Sequence, residues 1–174
     1  ATDFGDRTVS EDYISSTNDA TRSVFGAGEP GYKDTLDYVT TQTAGNATDF
    51  GNLVVAVSEG HTGVIADATR GLFVGGYVGS SPWATDQMAY ITIQTTGNAT
   101  DFGNLDTNRA SPAGTSNGTL GVVMGGGDFP SSSGDHDKIQ KVTIQTAANA
   151  TDFGNLISTS HSYYTNVGAA GAAS

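Results

Sequence analysis

The sequence has 174 residues, of which 24 are glycine and only 14% are charged, with 18 acidic residues against seven basic ones. The resulting net charge of −11 repels phosphate backbones, so nucleic acid is excluded as a partner. The sequence contains no cysteine, which excludes disulfides, thiolate metal sites and a cysteine nucleophile. Its many glycines and threonines argue against a helical bundle, and without an apolar stretch of about 20 residues we expect no membrane insertion.

The first predicted elements are a short apolar strand at 24–25 and an alternating strand over 36–43. The apolar run follows Asp19-Ala-Thr-Arg and ends in glycine, which is typical of a buried strand that leaves the core. In the second segment Val39 and Thr41 fall on one face, while Tyr38 and Thr40 fall on the other. This period of two predicts a β-strand with one apolar side.

The apolar run returns at 72–74 and in the segment 117–127, and the alternating strand returns in the segments 88–95 and 139–146. A further short strand is predicted near 61–65. Turn residues surround an Asp-Phe-Gly string after each alternating strand, so we predict a tight hairpin there. We further expect Phe50, Phe102 and Phe153 to turn into a core between repeats. Each repeat then holds three or four strands, and neighbouring repeats must stack in order to bury their apolar faces.

The strongest signal is an internal repeat of about 50 residues. Ala-Thr-Asp-Phe-Gly occurs four times, with its aspartate at Asp3, Asp49, Asp101 and Asp152. The sequence therefore predicts one all-β repeat domain over 1–174 with about 3.5 repeats. The predicted units are 1–46, 47–98, 99–149 and a partial unit at 150–174.

The order of these motifs resembles that of a kelch repeat. A glycine doublet follows an apolar strand at 75–76 and 125–126, an aromatic residue lies on the next strand at Tyr90, and another follows at Phe102. The first copy has Gly26-Ala27-Gly28 in place of the doublet. The resemblance implies that each repeat forms one blade of a β-propeller, and the Asp-Phe-Gly string is similar to kelch-like repeats in tail-fibre proteins of aquatic phages.

The two ends of the sequence show the same phase of the repeat, at 1–6 and at 150–156. Matching ends suit head-to-tail association, in which one chain completes the unfinished blade of the next. We therefore expect a homo-oligomer, either a filament or a closed six-bladed dimer, with the Gly/Ala-rich tail at 168–174 inserted at the joint.

Three sets of polar residues are candidates for chemistry, and each has a simpler explanation. The triplet Asp135-His136-Asp137 is a candidate metal site, but it lies in a Ser/Gly-rich stretch, and a polar surface loop explains it more simply. The three histidines, His61, His136 and His161, do not share a repeat position. Asn and Asp side chains around each Asp-Phe-Gly string offer oxygen ligands for calcium, but each copy has only one carboxylate, and turn-stabilising hydrogen bonds are the simpler explanation. These residues are Asn46, Asp49 and Asn52, Asn98, Asp101 and Asn104, and Asn149, Asp152 and Asn155. The pairs Asp19/Arg22 and Asp67/Arg70 are predicted to make a hydrogen bond or salt bridge between blades. No catalytic, cofactor or metal residues are predicted, and the chain is not expected to be an enzyme.

The candidate binding residues lie in variable loops, at 77–87 with Trp83 and at 126–138 with Phe129. Trp83, Tyr163 and Tyr164 are candidates for stacking on sugar rings. Asn-X-Thr sequons occur at Asn46, Asn98, Asn117 and Asn149, and they are acceptors for glycosylation if the source cell glycosylates the chain.

These observations predict a structural or adhesive subunit of an extracellular fibre or virion surface, without catalysis. The alternative is a carbohydrate-binding, lectin-like module that recognises a cell-surface glycan through the loop aromatics. A third hypothesis is a calcium-stabilised surface coat, which chelation would dissociate.

Overall fold

A computed structural model describes residues 2–58, 63–127 and 137–157 of the chain. These residues form twelve β-strands joined by turns and loops. The strands are β1 Ser15–Asn18, β2 Arg22–Gly26, β3 Lys33–Thr40, β4 Thr48–Val57, β5 Gly63–Ala66, β6 Arg70–Val74, β7 Gln87–Thr92, β8 Thr100–Asn104, β9 Ala113–Ser116, β10 Leu120–Met124, β11 Lys138–Thr143 and β12 Thr151–Asn155. Within the described ranges, no helix has the length and apolar character needed to cross a membrane.

The strands form three antiparallel sheets of four strands each, which we call sheet 1 (β1–β4), sheet 2 (β5–β8) and sheet 3 (β9–β12). Within each sheet, every strand pairs with its neighbours in sequence, so each sheet is a simple meander. The all-β class is confirmed. The predicted divisions after residues 46 and 98 fall just before β4 and β8, so the fourth strand of sheets 1 and 2 begins the next sequence unit.

The Asp-Phe-Gly string lies in a strand, and the prediction of a tight hairpin at this string is wrong. Its copies at 49–51, 101–103 and 152–154 belong to β4, β8 and β12. The chain turns instead in the preceding segments, at 41–47, 93–99 and 144–150. The pairing register between the third and fourth strand shifts in all three sheets, and such an irregularity increases the local twist.

The apolar core lies between the sheets. One cluster joins sheet 1 to sheet 2, and Phe50 is 3% exposed within it. A second cluster joins sheet 2 to sheet 3, and Phe102 is 2% exposed there. Phe153 is the exception to the predicted core, because it is 57% exposed on the face of sheet 3 that points away from sheet 2.

Sheet 2 therefore lies between sheets 1 and 3. Its first strand β5 contacts the first strands of both neighbours, β1 and β9. Because a strand alternates its side chains between two faces, sheet 2 uses both faces: Phe73 and Ile91 pack towards sheet 1, while Leu72 and Met88 pack towards sheet 3. Stacking between neighbouring repeats supplies the core, as the sequence predicts.

Charged residues fix the segment before β1 to sheet 1. The Arg7 guanidinium lies 2.9 Å from the Glu11 carboxylate and 3.2 Å from that of Asp37. The side chains of both acids are fully buried. Thr8 also donates its hydroxyl to Asp37 at 2.5 Å. In sheet 2 the position of Asp37 is taken by Ala89, so this buried ionic cluster is particular to sheet 1.

Candidate functional site

The two ends of the stacked sheets differ in their chemistry. At one end, which we call the turn end, the first and second strands are joined by 19–21, 67–69 and 117–119, and the third and fourth strands by 41–47, 93–99 and 144–150. These connections have the same lengths in all three sheets and nearly repeat their sequences. At the opposite end, the loop end, the second and third strands are joined by loops of different length and sequence.

A ladder of asparagine side chains links the sheets at the turn end. The Oδ1 atoms of Asn46, Asn98 and Asn149 each accept a backbone N–H from the preceding copy of the string, in all cases at 3.0 Å. The donors are Asp6, Asn52 and Asn104. Backbone hydrogen bonds flank each rung; for instance, Gly97 and Ala99 donate to carbonyls of β4 at 2.7 and 2.8 Å.

Glycine is required where these strings approach the next turn. A Cβ atom at Gly51 would overlap the backbone of Gly97, and one at Gly103 would overlap the backbone of Ala148. Both glycines also have positive φ, +142° and +135°, a region that favours glycine. The string is therefore repeated because each copy fits closely against the copy that follows.

Three of the four predicted sequons lie on this ladder. Asn46, Asn98 and Asn149 are exposed, and their Oδ1 atoms are engaged in the rungs. Asn117 is also exposed, and its Oδ1 caps a turn by accepting the N–H groups of Thr119 and Leu120. Glycosylation at these four residues stays a prediction.

A polar clamp also joins neighbouring sheets at the turn end. The Arg22 guanidinium lies over the Tyr38 ring at 4.2 Å and donates to the Ile93 carbonyl at 3.1 Å. Arg70 repeats this arrangement with the Tyr90 ring at 4.1 Å and the Ile144 carbonyl at 3.0 Å. The predicted hydrogen bond between neighbouring units is confirmed at both arginines.

The aspartates of the clamp make hydrogen bonds that favour their ionised form. Asp19 accepts from Gln94 at 2.5 Å across the interface and from the N–H groups of Thr21 and Arg22 within its own turn. Burial opposes ionisation, but these hydrogen bonds outweigh it and lower the pKa of Asp19. Asp67 accepts the same set of bonds, with Gln145 in the place of Gln94, and its pKa is lowered for the same reasons.

These lowered pKa values predict a loss of stability in acid. The clamp aspartates have a pKa below the ordinary value of 3.8 in the folded state. Their contribution is therefore complete above pH 3.8 and is lost as the pH falls through the folded-state pKa. We expect the double variant Asp19→Asn/Asp67→Asn, which keeps the turn-capping oxygen, to lose less stability than the unaltered protein between pH 5 and pH 3. Urea unfolding across this pH range measures the difference, and parallel losses in the two proteins would contradict the assignment.

The loop end gathers aromatic side chains from sheets 1 and 2. The rings of Tyr32 and Tyr77 lie 6.1 Å apart between centroids, and Tyr77 and Trp83 lie 6.2 Å apart with their planes within 17° of parallel. We call these three residues the aromatic row. Tyr32 is 46% exposed, and Tyr77 and Trp83 are half-buried.

The backbone of the loop at 75–86 is shaped around this row. Trp83 has a φ of +67°, which is unusual for a bulky residue, and a short turn holds it: the Val78 N–H donates to the Trp83 carbonyl at 2.9 Å. A Cβ atom at Gly79 would overlap the Tyr32 ring. Strained backbone in a native protein is concentrated at functional sites, so this loop is the best candidate for a binding surface.

A buried arginine fixes the neighbouring loop of sheet 3. Arg109 is 3% exposed, and its Nη1 donates to the Gly125 and Lys138 carbonyls, both at 3.1 Å. The Asp106 carboxylate lies 3.2 Å from its Nη2. Arg109 is a single residue without a repeated counterpart, so the repeat pattern gave no signal for it.

Of the predicted sugar-stacking residues, the structure places Trp83 in the aromatic row. Tyr163 and Tyr164 lie outside the described residues, as do Phe129 and the three histidines. Sequence reasoning missed Tyr32 and Tyr77, although Tyr77 fell in the predicted loop at 77–87. Within the described part of the chain, no three His, Cys, Asp or Glu residues are grouped so that they could hold a metal ion.

Comparison with known proteins adds no assignment. No protein-family model matches the chain, and no curated protein matches it.

Proposed function

We propose that the chain is a structural and adhesive subunit, built from kelch-like propeller blades, that belongs to an extracellular fibre or virion surface and performs no catalysis. The observation that carries this proposal is the difference between the two ends of the sheets. The turn end repeats almost unchanged and joins one sheet to the next, whereas the loop end varies between sheets. Proteins commonly present binding residues on variable loops held by a rigid scaffold.

In this proposal the subunits associate head to tail, so that many loop ends are displayed along one assembly. Repeated display raises the strength of attachment even when a single contact is weak. Negative-stain electron microscopy and light scattering of the purified protein test the proposal. We expect rings or filaments containing several chains, and a stable monomer at every concentration would contradict it.

The aromatic row favours a second candidate function, a lectin-like module that binds a neutral glycan. Sugar rings present apolar C–H faces that pack on flat aromatic side chains, and tyrosine and tryptophan also offer hydrogen-bonding groups. The acidic chain, with a net charge of −11, disfavours anionic glycans.

A glycan array tests this second function. We expect binding to neutral glycans that falls about tenfold or more when Tyr32 or Trp83 is replaced by alanine, because aromatic anchors carry a large part of binding energy. Phe4→Ala is the matched control, since Phe4 is 41% exposed at the turn end. Absence of binding, or equal losses in all three variants, would argue against the lectin-like function.

A further inference from the structure

We infer that the outward face of sheet 3 is a joint at which a second copy of this chain docks through its sheet 1, and that this joint lacks the polar clamp of the internal interfaces. The inference rests on the proposed head-to-tail association and specifies which surfaces make the contact. It follows from comparing equivalent positions in the three sheets.

The outward face of sheet 3 exposes apolar side chains, and one of them lies at a position that is buried in the other sheets. Phe153 is 57% exposed, whereas its counterparts Phe50 and Phe102 are 3% and 2% exposed. Leu120 is 38% exposed on the same sheet, and Ile157 just beyond β12 is fully exposed. In the part of the chain that the structure describes, neither core cluster includes Phe153, Leu120 or Ile157.

Sheet 1 offers the complementary face. Sheet 2 receives sheet 1 through Phe73 and Ile91, each 3% exposed. The equivalent residues of sheet 1 are Phe25 and Val39, and both are only half-buried. In the internal interface, one face of sheet 1 packs against the opposite face of sheet 2. The face of sheet 3 that corresponds to the first is incompletely covered, and so is the face of sheet 1 that corresponds to the second. Faces of opposite type make a heterologous contact, which can be repeated from chain to chain.

The asparagine ladder can continue across this contact if the Asp-Phe-Gly string at the end of one copy takes the place of the string at the start of the next. The turn of sheet 1 is bound by residues 4–6 of its own chain, through the same hydrogen bonds that residues 50–52 make to sheet 2. Residues 152–154 repeat the Asp-Phe-Gly of residues 3–5. The space beside Gly154 is open, whereas the turns of the next sheet fill it beside Gly51 and Gly103. Exchange conserves the hydrogen bonds of the ladder, whereas the contacts of Arg7 and Thr8 with Asp37 are lost, so burial of the exposed apolar face has to outweigh that loss.

The joint differs from the internal interfaces at three residues of the clamp. Asn117, Leu120 and Lys141 replace the aspartate, arginine and tyrosine of sheets 1 and 2. A cavity of about 210 Å³, lined by Leu120, Lys141 and the turn around Ala148, lies at this place in sheet 3. Without the arginine donor and the aspartate acceptor of the clamp, the contact loses the charge-assisted hydrogen bonds of the internal interfaces. The joint is therefore weaker than the internal interfaces and reversible.

Sedimentation velocity over a range of concentrations tests the joint. We expect the unaltered protein to associate reversibly and Phe153→Asp to associate about tenfold more weakly or not at all, because it places a charge in an apolar contact. The triple variant Asn117→Asp/Leu120→Arg/Lys141→Tyr restores the clamp and is expected to associate about tenfold more tightly. Circular dichroism of Phe153→Asp checks that the variant folds. We expect it to fold, because Phe153 is exposed.

Cross-linking identifies the two faces, because the chain contains no cysteine of its own. In the internal ladder, the Asn52 N–H meets the Asn98 side chain; the equivalent pair across the joint is Asn155 of one copy and Asn46 of the other. We expect a disulfide-linked dimer when Asn155→Cys and Asn46→Cys chains are mixed and oxidised. Dimers formed by Asn155→Cys alone would overturn the choice of sheet 1.

The outcomes separate this inference from the function it rests on. If the unaltered protein stays monomeric at all concentrations, the proposed head-to-tail association fails and the joint fails with it. If the protein associates but Phe153→Asp associates equally well, only the assigned surface is wrong. If the triple variant shows no tighter association, the role of the missing clamp is wrong.

Discussion

Replacing Phe102 by alanine is expected to lower the free energy of unfolding by about 3–5 kcal/mol, because it removes a large buried aromatic side chain and leaves a cavity between sheets 2 and 3. Phe102 is 2% exposed, and its ring also contacts that of Tyr90 edge-on at 6.1 Å. Urea unfolding followed by tryptophan fluorescence measures the change.

The chain provides its own control for this experiment. Phe153 lies in the same string, with the same neighbours in sequence, but is 57% exposed. At a protein concentration low enough to keep the chains apart, we expect Phe153→Ala to cost less than about 1 kcal/mol, since exposed substitutions away from the core have small effects. Equal losses in the two variants under this condition would mean that Phe153 is covered within its own chain, and the assignment of an uncovered face on sheet 3 would be wrong.

Replacing Arg7 by methionine is the second change with a large expected effect. The substitution keeps much of the side-chain volume and removes the positive charge that faces the buried carboxylates of Glu11 and Asp37. Removing one partner from a buried ion pair typically costs about 3–5 kcal/mol, because the remaining charge stays buried without an opposite charge to balance it. We expect a loss of this size in urea unfolding at neutral pH.

The sequence of sheet 2 suggests the matched rescue. Ala89 occupies in sheet 2 the position of Asp37 in sheet 1, so Arg7→Met/Asp37→Ala moves sheet 1 towards the uncharged arrangement. We expect this double variant to be more stable than the sum of the two single changes predicts, since the residues are in contact. Strict additivity would show that Arg7 and Asp37 do not interact.

The repeat made the sheets predictable because their main features depend on local sequence. The alternation of apolar and polar residues around Tyr38 and Tyr90 indicated strands. Because a single sheet cannot bury both of its faces, the repeats were also expected to stack. The burial of Phe50 and Phe102 followed from the same reasoning. Phe153 did not follow it, because burial depends on whether a neighbouring sheet covers the residue, and the string itself is identical in all copies.

The turn chemistry of the Asp-Phe-Gly string was misleading for a physical reason. Asn, Gly and Asp are typical turn residues, but here the asparagines serve the neighbouring sheet and glycines such as Gly103 make room for its backbone. A preference caused by a partner about 45 residues away cannot be distinguished from a local one in a single sequence.

The aromatic row and the buried ionic cluster were also beyond sequence reasoning. Tyr32 reaches Tyr77 because two loops of different sheets meet at one end. Arg7 meets Asp37 across 30 positions of the chain, and neither residue has a repeated equivalent. Such contacts depend on the arrangement of whole sheets, which the period of a strand does not specify.

The asparagine ladder has a consequence for how such a gene changes over generations. Copies of the string lie 52 and 51 residues apart and are nearly identical, so unequal recombination between them inserts or deletes about one whole unit in frame. Each added unit brings both its own rung and the glycine that fits against the next turn. The number of stacked sheets in the chain can therefore change in steps of one, without any new interface having to arise.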